Sequence, residues 1–266
     1  MRPFVEAELR ARARMIAGLA TGAFTYLLVL ALTYHSIGVV ALGNAFGKDT
    51  PRIFTAFSGS RSTDVLSPHG WMGLGFNHPM LMITSLTAAL AIGTGSVAGE
   101  VDSGRAQLLF TAPIARARFL GAALVVWAVA EVVILLAALG GAVFGGVLSP
   151  DLRHAGLASL AWAPLQLLPL TAFVAAVGVV ASAYADTRGR ALGLAVTLVV
   201  AAYLVSVVAG LSSALDPLRW ATPFGYYDPG AAITRGLRPW PFLALTGAAV
   251  VLLLVARRRL ARRDLA

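Results

Sequence analysis

The stretch FLGAALVVWAVAEVVILLAALGGAVFGGVL, residues 119–148, runs for thirty residues with a single charged side chain, Glu131. A helix rises about 1.5 Å per residue and the hydrocarbon core of a bilayer is about 30 Å thick, so about 20 apolar residues are enough to cross it. The stretch is therefore a transmembrane helix by length and composition, and Gly141 and Gly145, with Gly140 and Gly146, read as close helix packing or a flexible end. Working outward, five more segments meet or approach the same length: 15–38, 78–99, 158–184, 191–212 and 239–256. The last is the shortest, with Trp240 at one end and an arginine cluster at the other as interfacial anchors. The expected fold is all-α, a polytopic membrane protein of six transmembrane helices in one domain over 1–266.

The composition agrees. Of 266 residues 58% are hydrophobic and 12% charged, with a mean hydropathy of +0.80, where soluble domains carry about 25% charged residues. The net charge of +9 comes almost wholly from arginine, Lys48 being the one lysine. Those arginines bunch beside apolar runs at Arg10, Arg12, Arg14 and at Arg257, Arg258, Arg259, Arg262, Arg263. Without interleaved aromatics to stack on bases, they point to membrane lipid and not to nucleic acid. Basic residues ahead of an apolar run imitate a secretory signal, but 15–44 carries no acid or base except His35, too long for a signal core of about 7–15 residues. It reads as a retained first span. No cysteine is present, which excludes disulfides and thiolate metal sites.

Orientation follows from charge, because loops that stay in the cytoplasm keep an excess of Lys and Arg. Segments 1–14, 100–118, 185–190 and 257–266 hold 14 of the 21 basic residues, and segments 39–77, 149–157 and 213–238, longer in total, hold 7. Both termini are expected to be cytoplasmic, in an inner membrane. Ahead of the first span, Phe4, Val5 and Leu9 among charged neighbours suggest a short amphipathic helix on the membrane surface, with fraying as the alternative. The connection 39–77, with Phe46, Phe54, Phe57 and Trp71, is expected to pack on the outer membrane face or to form a lid. Pro164 and Pro169 each remove a backbone donor and predict a kinked or broken fourth span.

Few side chains in the spans can carry chemistry. An acid at the depth of Glu131 costs about 3 kcal/mol on insertion scales. It either stands in a substrate or proton path or joins two helices as a protonated or hydrogen-bonded carboxyl; the second is taken here, with Gln166 as the expected partner. Thr84, Thr87, Ala91, Thr94 and Ala98 share one face of the second span, and Gly189, Gly193, Thr197 and Ala201 recur at intervals of four around the fifth. Such stripes serve close packing or a cavity wall. His35, His69, His78 and His154 lack the paired spacing of a helical zinc site, so no metal is expected. There is no G-x-S-x-G elbow, and the nearest approach to a phosphate loop, GNAFGKD at 43–49, has three residues between its glycines and Asp where Ser or Thr should stand. If ATP drives this protein, another subunit binds it.

The connection after the second span reads GEVDSGRAQLLFTAPIARARFLGA, residues 99–122, and the string TPFGYYDPG, 222–230, precedes the sixth. In both, the chain resembles the membrane subunit of bacterial type-2 ATP-binding-cassette exporters: an acid, a glycine, a leucine pair, a proline and an arginine are matched by Glu100, Gly104, Leu108 with Leu109, Pro113 and Arg116. The second string differs from the usual one in having Thr222 for serine. The resemblance implies a short cytoplasmic coupling helix in which Arg105, Leu108, Leu109 and Phe110 contact the ATPase while Glu100 ties the loop to its own bundle. It also implies a homodimer or a pair with a close paralogous permease, a separate ABC ATP-binding subunit that carries the ATP and magnesium, and a translocation path lined by Thr84, Thr87, Thr94 and Thr197. Two other readings remain: a non-transporting component that passes ATPase motion to an extracytoplasmic partner, and an intramembrane enzyme, for which only Glu131 qualifies.

Overall fold

Nothing between Arg2 and Ser36 interrupts helix formation, and α1 (Arg2–Ser36) runs through all 35 residues, about 52 Å at 1.5 Å per residue. The structure, a computed structural model, describes residues 2–36, 67–102 and 117–262. The separate surface helix expected before the first span is instead an extension of that span. Val5, Leu9, Arg12 and Ile16 follow at intervals of four, three and four and so share one face. Val5, Leu9 and Ile16 pack on Ile92 and Val126, so this face meets protein and not a membrane surface.

The second span begins where expected, at His78, and a separate helix precedes it. α2 (Pro68–Asn77) and α3 (Pro79–Gly95) meet at His78, whose backbone is extended (φ −64°, ψ 141°). The cause is Pro79, which drives the preceding residue out of the helical region and has no N–H to give back to α2. α2 is buried from Gly70 to Asn77, and the Trp71 indole donates to the Leu30 carbonyl at 2.9 Å. Residues 70–77 therefore pack inside the bundle, and 39–66, with Phe46, Phe54 and Phe57, lie outside the described residues. A five-residue helix, α4 (Ala98–Asp102), follows α3.

α5 (Ala117–Leu148) pairs along α1, with Leu27, Ala31, Ile134, Ala138 and Ala142 in one core. A Cβ on Gly145 would lie 2.9 Å from the Leu28 carbonyl, and one on Gly141 would run into the Phe24 carbonyl. The close packing expected of these glycines is therefore what the structure contains. After α6 (Pro150–Ala155) and a 3-10 turn (Ala158–Ala161) comes α7 (Trp162–Tyr184). The break expected in this span is absent. Pro164 occupies the first turn, where an N–H has no intrahelical acceptor anyway, and Pro169 sits inside a helix that continues past it.

α8 (Arg188–Leu211), 3-10 turns at Asp216–Ala221 and Pro223–Tyr226, α9 (Pro229–Arg235) and α10 (Pro239–Arg262) complete the chain. The described residues contain no strand. Five helices are long and apolar enough to cross a membrane, namely α1, α5, α7, α8 and α10. α3 has 17 residues, about 26 Å, so the sixth expected span is not given by length alone. Val97, Leu120, Val179, Ala183, Ala256 and Leu260 form one cluster. The start of α5 and the ends of α7 and α10 thus converge where α3 gives way to α4.

Candidate functional site

The coupling loop expected over 100–118 is rooted at the break between α3 and α4. A break leaves free carbonyls on one side and free N–H groups on the other, and buried groups of this kind need partners. A single hydroxyl from α7 supplies them. Ser182 Oγ accepts from the N–H groups of Val97 (3.0 Å) and Ala98 (2.7 Å) and donates to the Thr94 carbonyl (2.9 Å). One donor and two acceptors are all a serine offers, so this clasp is saturated. One turn before it, α3 and α7 touch backbone to backbone: a Cβ on Gly93 would lie 2.5 Å from the Ala175 carbonyl, and one on Gly178 would lie 3.1 Å from the Thr94 nitrogen.

Arg12 of α1 holds the same place from another side. Its guanidinium pairs with Glu8 (2.6 Å) and donates to the Ala91 carbonyl (3.2 Å). Its Nη2 lies so near Gly95 that a Cβ there would stand 3.3 Å away. Glu100 is buried and lines a small cleft with Glu8 and Arg12. The remaining residues of the expected docking segment, Gly104, Arg105, Leu108, Leu109, Phe110, Pro113 and Arg116, lie outside the described residues. Ser182 was not singled out from sequence and Arg12 was read only as a membrane-flanking anchor, although Gly178 and Ser182 repeat the four-residue spacing of small residues that marks a close helix crossing.

Glu131 lies at the middle of α5 with no exposed surface. The hydroxyls of Ser85 on α3 and Thr171 on α7 face its carboxyl. Neither carboxyl oxygen makes a well-aligned hydrogen bond among the described residues, and Thr171 Oγ1 donates to the Leu168 carbonyl at 3.0 Å. Gln166 is not the partner expected for it: five residues before Thr171, it turns about 140° around α7 and lines a cleft toward the other end of the bundle.

The four threonines of the expected path do not share one surface within the chain. Thr94 is buried and bonds the Leu90 carbonyl of its own helix at 2.7 Å. Thr84 is half-buried with its hydroxyl on the Met80 carbonyl at 2.7 Å, and Thr87 is exposed. Thr197 is exposed with Gly189, Gly193 and Ala201, and a Cβ on Gly189 or Gly193 would meet nothing within 4 Å. The buried face of α8 is instead Ala191, Ala195, Val199 and Ala209.

Residues 5–265 match the sequence model of one protein family, whose description is ABC-2 family transporter protein. The chain belongs to this family. No curated protein and no solved structure matches it. Membership makes the chain a multi-pass permease component of an ABC transporter, and it implies an ATP-binding subunit as partner. In this ABC-2 protein the TPFGYYDPG string is a fastening. The Tyr227 hydroxyl donates to the Phe76 carbonyl of α2 at 2.9 Å. Asp228 caps α9 through the Ala231 N–H at 2.9 Å. Gly230 meets α2 so closely that a Cβ on Gly73 would lie 2.7 Å from its Cα. Burial, with the Asp228 charge adding to it, holds the Tyr227 hydroxyl well above the usual tyrosine range.

Proposed function

We propose that this ABC-2 permease is the membrane half of an ATP-driven exporter in a bacterial inner membrane. It acts as a homodimer, or with a close paralogous permease, on two copies of a separate ATPase that carries the ATP and magnesium. Closure of the ATPases pushes the docked 100–118 segments, and the two membrane halves rock around a central cavity. The polar groups of the spans are sparse, which suits an amphipathic or lipid-like cargo. The observation that carries the reading is the family match over 5–265. The geometry at the loop root fits it: movement of the segment after α4 would be passed directly to α7 through Ser182 and to α1 through Arg12.

The docking role of Leu109 and Phe110 rests on resemblance to the family, and a few buried apolar side chains carry most interface energy. Leu109→Asp or Phe110→Asp should cost at least about 2 kcal/mol of ATPase binding while the permease still inserts and dimerises. Co-purification of the ATPase with each variant checks this, and undiminished recovery with normal transport would remove the docking assignment. Cytoplasmic termini are checked separately. In this cysteine-free chain, impermeant thiol labelling of intact cells should modify Ser60→Cys and Ser213→Cys but not Ser103→Cys or Ala261→Cys.

A further inference from the structure

At the end of the bundle opposite the Ser182 clasp, the 3-10 turns before α9 roof a cleft of about 110 Å³ between α7, α8 and the start of α10. Gln166 forms part of its floor. Its side chain is 6% exposed, and its Oε1 has no hydrogen-bond partner among the described residues. A buried acceptor without a partner is costly; the Oε1 can accept from the P–OH of a phosphate monoester, while the amide NH2 can donate to its charged oxygens. Arg219 and Arg238 also line the cleft. Arg238 is exposed and makes no ion pair among the described residues. The Arg219 guanidinium lies 4.5 Å from the Trp220 ring centroid and 3.4 Å from Asp216, with its Nε hydrogen bond unmade.

Asp216 is paired with Arg219, and Asp228 with the cap of α9, whereas the exposed Arg238 keeps its donors free. An incoming group with negative charge is thereby favoured, since charge-assisted bonds to guanidinium are the strong ones. Two apolar helices, α8 and α10, flank the cleft. α8 and α10 both pack on α7 but hardly touch each other, and the aromatic wall of Trp220 and Tyr226, edge to face at 5.5 Å, stands beside that gap. From this we infer that the cleft is a binding site for an anionic amphiphile, its phosphate or carboxylate head on Arg238, Arg219 and Gln166 and its chain in the gap between α8 and α10. The inference names a class of cargo for the proposed exporter and rests on that reading for its role, but binding itself requires neither ATP nor the ATPase.

Native mass spectrometry of the purified full chain in detergent tests it, with phosphatidic acid, a diacylglycerol of the same chains, and inorganic phosphate as probes. Phosphatidic acid should give one saturable adduct that diacylglycerol does not give and inorganic phosphate does not displace. Loss of a charge-assisted bond is worth about tenfold in affinity or more, so Arg238→Gln and Gln166→Leu should each weaken the adduct by about that factor. Arg235→Gln, an exposed cation on α9 outside the cleft, should leave it unchanged. Equal retention of diacylglycerol, displacement by inorganic phosphate, or undiminished binding in both cleft variants would overturn the site. Since no ATPase is present, such a failure leaves the exporter reading standing, and loss of ATPase co-purification would leave the cleft standing.

Discussion

α7 and α8 follow one another in the chain and are both apolar, yet 67% of the most apolar stretch of the α7 span is buried and only 17% of that of α8, the more hydrophobic of the two. In water that order would be reversed. In a bilayer, lipid tails are as apolar as leucine, so hydrophobicity no longer pulls a helix inward, and close backbone approach and hydrogen bonds decide instead. α7 offers both, through Gly178 against Gly93 and Ser182 against the break after α3. α8 has an equivalent row of small residues, Gly189, Gly193, Thr197 and Ala201, but it faces away from the rest of the chain. A stripe of small residues thus marks a face that can be packed. It does not say whether the same chain packs it.

The sharpest way to break the comparison is to enlarge one glycine on each helix. Gly178→Leu forces a side chain into the backbone of Gly93 and Thr94 and should cost upward of about 3 kcal/mol, seen as loss of monodisperse protein in size-exclusion chromatography. Gly193→Leu meets only open space and should leave the fold of the chain within about 0.5 kcal/mol. Equal losses from the two would mean that α8 is packed as tightly as α7. A smaller effect is expected at the clasp. Ser182→Ala orphans two buried N–H groups and a carbonyl and should lower stability by about 1–3 kcal/mol. The same change at half-buried Ser206 of α8 should be nearly silent, and matching thermal melts for the two variants would remove the clasp from the account.

Glu131→Gln should have a smaller effect than Gly178→Leu or Ser182→Ala. Gln keeps the shape of the side chain and can bond to the hydroxyls of Ser85 and Thr171 that face it, so expression, assembly and transport are expected to persist, with a stability change within about 1 kcal/mol. Abolished transport in an intact complex would move Glu131 from a helix-joining role into the path.

Insertion depends chiefly on the apolar length of each segment, which is why the runs around Glu131, Thr171 and Thr197 were legible as spans in the sequence; Gly141 and Gly145 were legible as close packing or a flexible end, and the structure shows the packing. The start of the second span at His78 was legible as well, since the chain turns out of the helix there before Pro79. What was not legible is that α7 would continue through Pro169, or that a further helix, α2, would lodge against Leu30 and Gly230. The candidate sites divide the same way. That this chain has two basic ends, a polar loop after its second span and one acid at mid-depth is a matter of sequence. That Ser85 and Thr171 meet the acid, that Gln166 turns toward a cleft with Arg219 and Arg238, and that Ser182 closes the root of the loop were decided by tertiary structure. Each depends on which helix faces come together, and because lipid and protein interior are alike in polarity, no periodicity in the sequence distinguishes a face that meets protein from one that meets lipid.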